Sequence, residues 1–308
     1  MKLAHWHRAL GDQVTVSRKI QPEMFEPEYD QVYGSSIFGF SQKLLEAFQE
    51  QWPTAIVGGT GTDSLQTIEQ LLGVEEYEHY DYSDYPAFSG SIGFTQRGCR
   101  LRCGFCVVPK KEGRPRAVNS IPDIWRGEPY PKHIHLLDND FFGQPEEQWK
   151  ARVAEILEGQ FKVCFNQGIN IRLITEQAAE WIAKLPYYDD SFKARRLYTA
   201  WDNLKDEGIF FRGVDLLEQA GVPPTHLLVY MLVGYRQGET LDEIMYRFTR
   251  MTDRGIKPYP MVYNNQDRQM KRFQRWVIRR YYEFIPFSEY SQRWAHHNAE
   301  QAELGVVG

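Results

Sequence analysis

The chain has 308 residues, of which 42% are hydrophobic and 25% charged, with a formal net charge of −5. That suffices for one large core, or one large and one small domain, and it argues against a general polyanion binder while leaving room for a local basic patch. Four cysteines suit a reducing cytosol rather than a disulfide scaffold; residues 1–8 lack the apolar stretch of a signal peptide, and no run approaches membrane-spanning length, so a cytoplasmic protein is expected.

Residues 1–73 read as a small α/β domain. A helical pattern over 3–10 closes at Gly11, a natural residue just past a helix end. A strand follows over 32–38, then a helix that Ser41 can cap and that ends near Pro53. Residues 54–57 form a buried strand running into Gly58-Gly59-Thr60-Gly61, which suits a packing turn or a phosphate cradle. Residues 63–72 are helical. Residues 74–90 turn acidic and tyrosine-rich and read as a linker. From 91 to 266 short apolar runs alternate with helical patterns. The expected strands are 91–95, 133–137, 162–165, 196–200, 226–233 and 257–262. Helices are expected over 121–126, 145–157, 175–185, 210–220 and 241–254, with a last one over 267–283 opening a helical region at 267–308. Thr240 to Glu243 is a capping-box signature. Six strand–helix units imply a parallel sheet with right-handed crossovers, two units short of a closed eight-stranded barrel.

Cys99, Cys103 and Cys106 stand at C-x3-C-x2-C spacing on the loop after the strand at 91–95. Three thiolates so spaced can reach three corners of one [4Fe–4S] cube, and with no fourth cysteine nearby one iron is left for a small molecule to chelate. Two other readings are a zinc site, for which a second ligand pair is missing, and a loop with incidental thiols. Gly98 and Gly104 let backbone wrap closely around a cube. Arg97, Arg100 and Arg102 surround an anionic cluster or are simply solvated. Lys110, Lys111, Arg114 and Arg116 suit a wet surface or an anionic substrate. Cys164, in an apolar run, reads as a buried thiol.

The cysteine spacing, Phe105 just before the last cysteine, and the strand–helix alternation over about 91–263 resemble the radical S-adenosylmethionine (SAM) superfamily. The resemblance implies an open six-unit (β/α)6 partial TIM barrel with its chemistry at the C-terminal strand ends. It implies a [4Fe–4S] cluster held by the three cysteines, with SAM on the fourth iron. An electron from flavodoxin or ferredoxin then yields methionine and a 5′-deoxyadenosyl radical that abstracts a substrate hydrogen. Phe105 belongs to the implied cofactor site. Asp138, Asn139 and Asp140 end the second strand, where the family orders the SAM ammonium, usually with Gly-Gly-Glu; the same residues also suit an Asx turn. Asn166, Gln167, Asn170 and Arg172 follow the third strand and suit ribose hydroxyls and a carboxylate. Asp202 ends the fourth strand. Gly234, beside Tyr230 and Tyr235 at the end of the fifth, opens a turn similar to the family's Gly-x-x-x-x-Glu-Thr, whose backbone contacts adenine.

The N-terminal domain resembles a degenerate cobalamin-binding domain of the methylthiotransferase-like members. It lacks Asp-x-His-x-x-Gly, so cobalamin is not expected. A methylthiotransferase needs further cysteines for an auxiliary cluster, and Cys164 alone cannot supply them. Arg272, Arg275 and Arg279, with Arg268 and Lys271, form a basic stripe on the last helix, while Phe273, Trp276, Val277 and Tyr281 turn inward. That stripe is a solvated face or a contact for the phosphates of a nucleotide or RNA substrate. The rival readings are a methyl- or methylthiotransferase-like modification of nucleotide or RNA, and a nucleic-acid-binding protein whose cluster is structural.

Overall fold

A computed structural model describes residues 1–22 and 24–291; residues 292–308 of the expected C-terminal helical region lie outside them. Contacts divide the chain into two units. The first holds residues 1–167 and 185–193, the second residues 168–184 and the described residues from 194 onward.

The first unit opens with α1 (Lys2–Ala9), which buries Lys2 and Ala4. β1 (Tyr33–Ser35) pairs in parallel with β2 (Ile56–Gly58), and α2 (Gln42–Gln51) lies between them in sequence. α3 (Ile68–Leu72) follows, started by a Thr67–Gln70 capping box. β1 is shorter than its apolar run because the glycine turn closes on it at Ser36. Gly61 N–H donates to the Ser36 carbonyl at 2.9 Å. Gly59 has φ +106°, and a Cβ there would stand 2.1 Å from the same carbonyl. The turn therefore packs backbone on backbone, and only glycine fits. Residues 74–90 are bonded into the unit: Ile92 N–H donates to Tyr82 Oη at 2.9 Å, and Glu78 accepts from Lys2 at 2.8 Å.

β3 (Ser91–Gly93) leads into a two-residue ribbon, β4 (Gln96–Arg97). The chain then passes through α4 (Val108–Lys111) to β5 (Arg116–Ala117), which pairs antiparallel with β4. This ribbon was not expected. α5 (Ile121–Ile124), β6 (His133–Leu136), α6 (Glu146–Glu158) and β7 (Lys162–Phe165) complete the unit's regular structure. The sheet runs β3-β6-β7, all parallel. Ile134, Leu136, Val163 and Cys164 of the sheet and Val153 and Ile156 of α6 are fully buried. Each such aliphatic side chain contributes about 1.5–3 kcal/mol.

The second unit holds α7 (Glu176–Lys184), β8 (Leu197–Ala200), α8 (Glu207–Gln219), β9 (Leu227–Val233), α9 (Leu241–Asp253), β10 (Lys257–Val262) and α10 (Arg268–Ile278). Its sheet runs β10-β9-β8, again all parallel. β9 buries Leu227, Val229, Met231 and Val233, one face of the strand. Thr240 caps α9 by accepting from Glu243 N–H, with the reciprocal bond from the Glu243 side chain. Arg247 of α9 is fully buried and donates to the carbonyls of Trp201, Asp202 and Leu232, tying the ends of β8 and β9 together. The chain is thus α/β with parallel sheets. The six strands of the expected barrel form two three-stranded parallel sheets, one in each unit.

Candidate functional site

The run expected as one strand over 91–95 breaks after Gly93, and the cause lies just past the end of β6. Asp138, just past β6, accepts from Thr95 N–H at 2.7 Å, from Gln96 N–H at 3.2 Å and from the Thr95 hydroxyl. Those bonds take the backbone donors that would have continued the ladder and turn the chain into the cysteine loop. Asp138 is 2% exposed. Burial pushes its carboxyl up to about 7, with the three donors from Thr95 and Gln96 pulling back.

The loop then folds on itself. Cys99 N–H donates to the Gly113 carbonyl at 3.3 Å. Gly98 sits at φ +81°, and a Cβ there would stand 2.3 Å from the Arg114 carbonyl, so this crossing needs glycine. Cys106 N–H donates to the Cys103 carbonyl at 3.0 Å, a tight turn that brings the last two cysteines together. Cys99, Cys103 and Cys106 are all half-buried. The Cys99 thiol is pushed up to about 11, first by burial and then by the negative charges of Asp140, Cys103 and Cys106. Such a thiol is a thiolate at neutral pH only when a metal takes the place of its proton.

Among the described residues no three His, Cys, Asp or Glu side chains converge closely enough to hold a single metal ion. Sulfurs around one tetrahedral ion, at about 2.3 Å from it, stand about 3.8 Å apart. A cube instead takes one thiolate at each of three separate irons and needs a wider triangle. Three cysteines on one loop, two of them felt electrostatically by the first, are soft donors of the kind that iron–sulfur clusters and zinc take. Cys164 lies fully buried in β7, its thiol pushed up to about 12 by burial.

The other polar residues at the end of β6 also face the loop. Asn139 donates to Glu112 Oε2 at 2.9 Å. Asp140, fully buried, accepts from Arg100 N–H at 3.2 Å and from Arg100 Nε and Nη2 at 2.7 and 2.9 Å. With both aspartates engaged and buried, Asn139 is the half-buried member of the three. Arg97, expected beside a cluster, is bound to Glu78 at 2.7 Å and Glu112 at 3.2 Å, and lies over the Phe94 ring. Arg102, Lys110, Arg114 and Arg116 are exposed. Phe105 is half-buried within the loop. After β7, Asn166 Oδ1 meets His135 Nδ1 at 3.2 Å, and Gln167 is exposed.

In the second unit Arg172 donates to Asp206 at 3.1 Å, and Asn170 is half-buried. Asp202 accepts from Leu232 N–H at 3.0 Å, and burial raises its pKa. Gly234 N–H donates to Glu239 at 2.8 Å, and Glu239 in turn accepts from the buried Arg247 at 2.7 Å. The turn resembling an adenine contact is thereby tied to α9. On α10, Met270, Phe273, Trp276 and Val277 are buried, and Arg268, Lys271, Arg275 and Arg279 are exposed. Arg272 leaves the expected stripe: it is half-buried and donates to the carbonyls of Phe287, at 2.7 Å, and Tyr290.

Glu112 and Glu78 were missed from the sequence. Glu112 had a signal, being the one acid in Lys110-Lys111-Glu112-Gly113-Arg114, a position where a solvated basic run has no use for it.

An α/β chain with parallel strand pairs and three thiols on the loop after one of those strands is the combination that the radical SAM resemblance implies. The chain is 23% identical over 237 residues to the tRNA-2-methylthio-N(6)-dimethylallyladenosine synthase of Sulfurihydrogenibium sp. (strain YO3AOP1), a match covering 71% of this chain and 51% of that protein. The chain thus spans about half the length of the curated relative it matches. No family model and no solved structure matches it.

Proposed function

We propose that the chain is a radical SAM enzyme that modifies a phosphate-bearing substrate, a nucleotide or RNA. The observation that carries this reading is the cysteine triad on a loop whose backbone is fixed from the end of β6. Cys99, Cys103 and Cys106 would hold a [4Fe–4S] cluster through three irons. When bound, cluster and SAM together supply one-electron cleavage of the sulfonium and hydrogen abstraction from the substrate. The protein's own part is to hold the thiols, orient SAM and exclude water.

Within the first unit, half-buried Asn139 and exposed Gln167 are the candidates for SAM, and Phe105 would shield the cluster edge. Asn170, Arg172, Asp202 and Gly234 belong to the second unit, and each is tested separately by SAM affinity. An electron donor such as flavodoxin or ferredoxin completes the system. The substrate class is supported by the tRNA named for the relative and by the exposed cations of α10. Beyond the triad the sequence supplies only Cys164, buried in β7, so the proposal stops at hydrogen abstraction and does not extend to sulfur insertion.

Anaerobic reconstitution with iron, sulfide, SAM and dithionite tests this. Release of 5′-deoxyadenosine is the expected result. Iron-loaded protein that binds RNA but releases none would support the rival, a nucleic-acid-binding protein with a structural cluster.

A further inference from the structure

The first cysteine of the triad is gripped on both sides. On its N-terminal side, Glu112 Oε2 accepts from Gly98 N–H at 3.0 Å and from Asn139 Nδ2 at 2.9 Å, while Oε1 accepts from Arg97 at 3.2 Å. On its C-terminal side, Asp140 accepts from Arg100 N–H and, through both oxygens, from the Arg100 guanidinium. Cys99 lies between two backbone amides, each held by a carboxylate. Both carboxylates belong to, or are bound by, the residues that end β6.

The grips are sheltered. The Glu112 side chain is 15% exposed and that of Asp140 is 1% exposed. In such surroundings a charge-assisted bond to a backbone amide is strong and geometrically strict. Arg97 continues the chain of contacts to Glu78 at 2.7 Å, and Glu78 to Lys2 at 2.8 Å. The cysteine loop is therefore braced through the residues read as a linker onto α1.

We infer that Glu112 and Asp140 are positioning residues that fix Cys99 before any cofactor arrives, making it the preset anchor of the triad. This rests on the cluster reading for its purpose and not for its geometry. A preset ligand lowers the entropy lost on metal assembly, and the supporting groups tune the metal that it holds. Removing either carboxylate takes a negative charge away from the site, which favours the added electron and moves the midpoint potential upward.

Four variants of the full chain test the inference: Glu112→Gln, Glu112→Ala, Asp140→Asn and Asp140→Ala, with Glu76→Ala in an exposed pair as control. In apo protein, hydrogen exchange at Gly98 should rise about tenfold to a hundredfold in Glu112→Ala, and that at Arg100 similarly in Asp140→Ala, with neither changed in the control. After reconstitution, Glu112→Gln and Asp140→Asn should keep the wild-type iron content with a more positive midpoint potential. If the alanine variants do not fold, the Gln and Asn variants decide. Exchange at residues 97–101 and potential both unchanged would overturn the inference. If no variant and no wild type binds iron, the cluster reading fails, and the apo exchange still decides whether Cys99 is held as described.

Discussion

Asp138 shows how one residue can serve the fold at a place where the sequence suggests a ligand. Its carboxyl is buried, held up near about 7, and bonded to Thr95 and Gln96. The folded state therefore keeps a proton that the unfolded chain, with an ordinary aspartate, loses near pH 4. Stability from this group is fully present below the unfolded value and is lost as pH rises through about 7. Asp138→Asn can keep the two backbone bonds and donate to the Thr95 hydroxyl without titrating. Thermal unfolding of the two proteins from about pH 5 to about pH 8 should show the variant gaining relative to wild type as pH rises. A constant difference across that range would mean that Asp138 is ionised throughout. The cysteine triad and the polar end of β6 were legible in the sequence. Their mutual bonding was not, because Asp138 and Thr95 are distant in sequence and no local pattern encodes a long-range hydrogen bond.

At the scale of elements, strand–helix alternation was legible from apolar periodicity, and β7 and β10 begin and end where the runs do. β3 was overestimated because the apolar pattern continues past the point where Asp138 captures the backbone. The ribbon of β4 and β5 escaped because two-residue strands carry no period. Amphipathic α10 was legible as a helix, but one position of its basic stripe was not. Arg272 is bound to the carbonyls of Phe287 and Tyr290, so its loss is a stability effect. Arg272→Ala should cost about 1–3 kcal/mol in denaturant unfolding, the range for losing charge-assisted bonds at a partly buried site. The double variant Arg275→Gln/Arg279→Gln should stay within about 0.5 kcal/mol of wild type. If α10 holds a phosphate backbone, the same double variant should lower the salt slope of RNA binding by about 2. An unchanged slope would leave those cations as a solvated face.

At the scale of the whole molecule, two units each contain a three-stranded parallel sheet. Among the described residues no helix is long and apolar enough to cross a membrane. The residues that read as a separate small domain and a linker are bonded to the cysteine loop through Lys2, Glu78 and Arg97. Composition could not show this, because an acidic, tyrosine-rich stretch looks alike whether its charges are solvated or paired inside. If three thiols, and not the fourth, hold a cluster, iron content follows the triad alone. Iron and acid-labile sulfide should be counted after anaerobic reconstitution of wild type, Cys99→Ala, Cys103→Ala, Cys106→Ala and Cys164→Ala. The expected result is about four irons per chain in wild type and Cys164→Ala, with loss in each triad variant. Full iron content in Cys103→Ala, or a colourless wild type that takes up zinc alone, would contradict it.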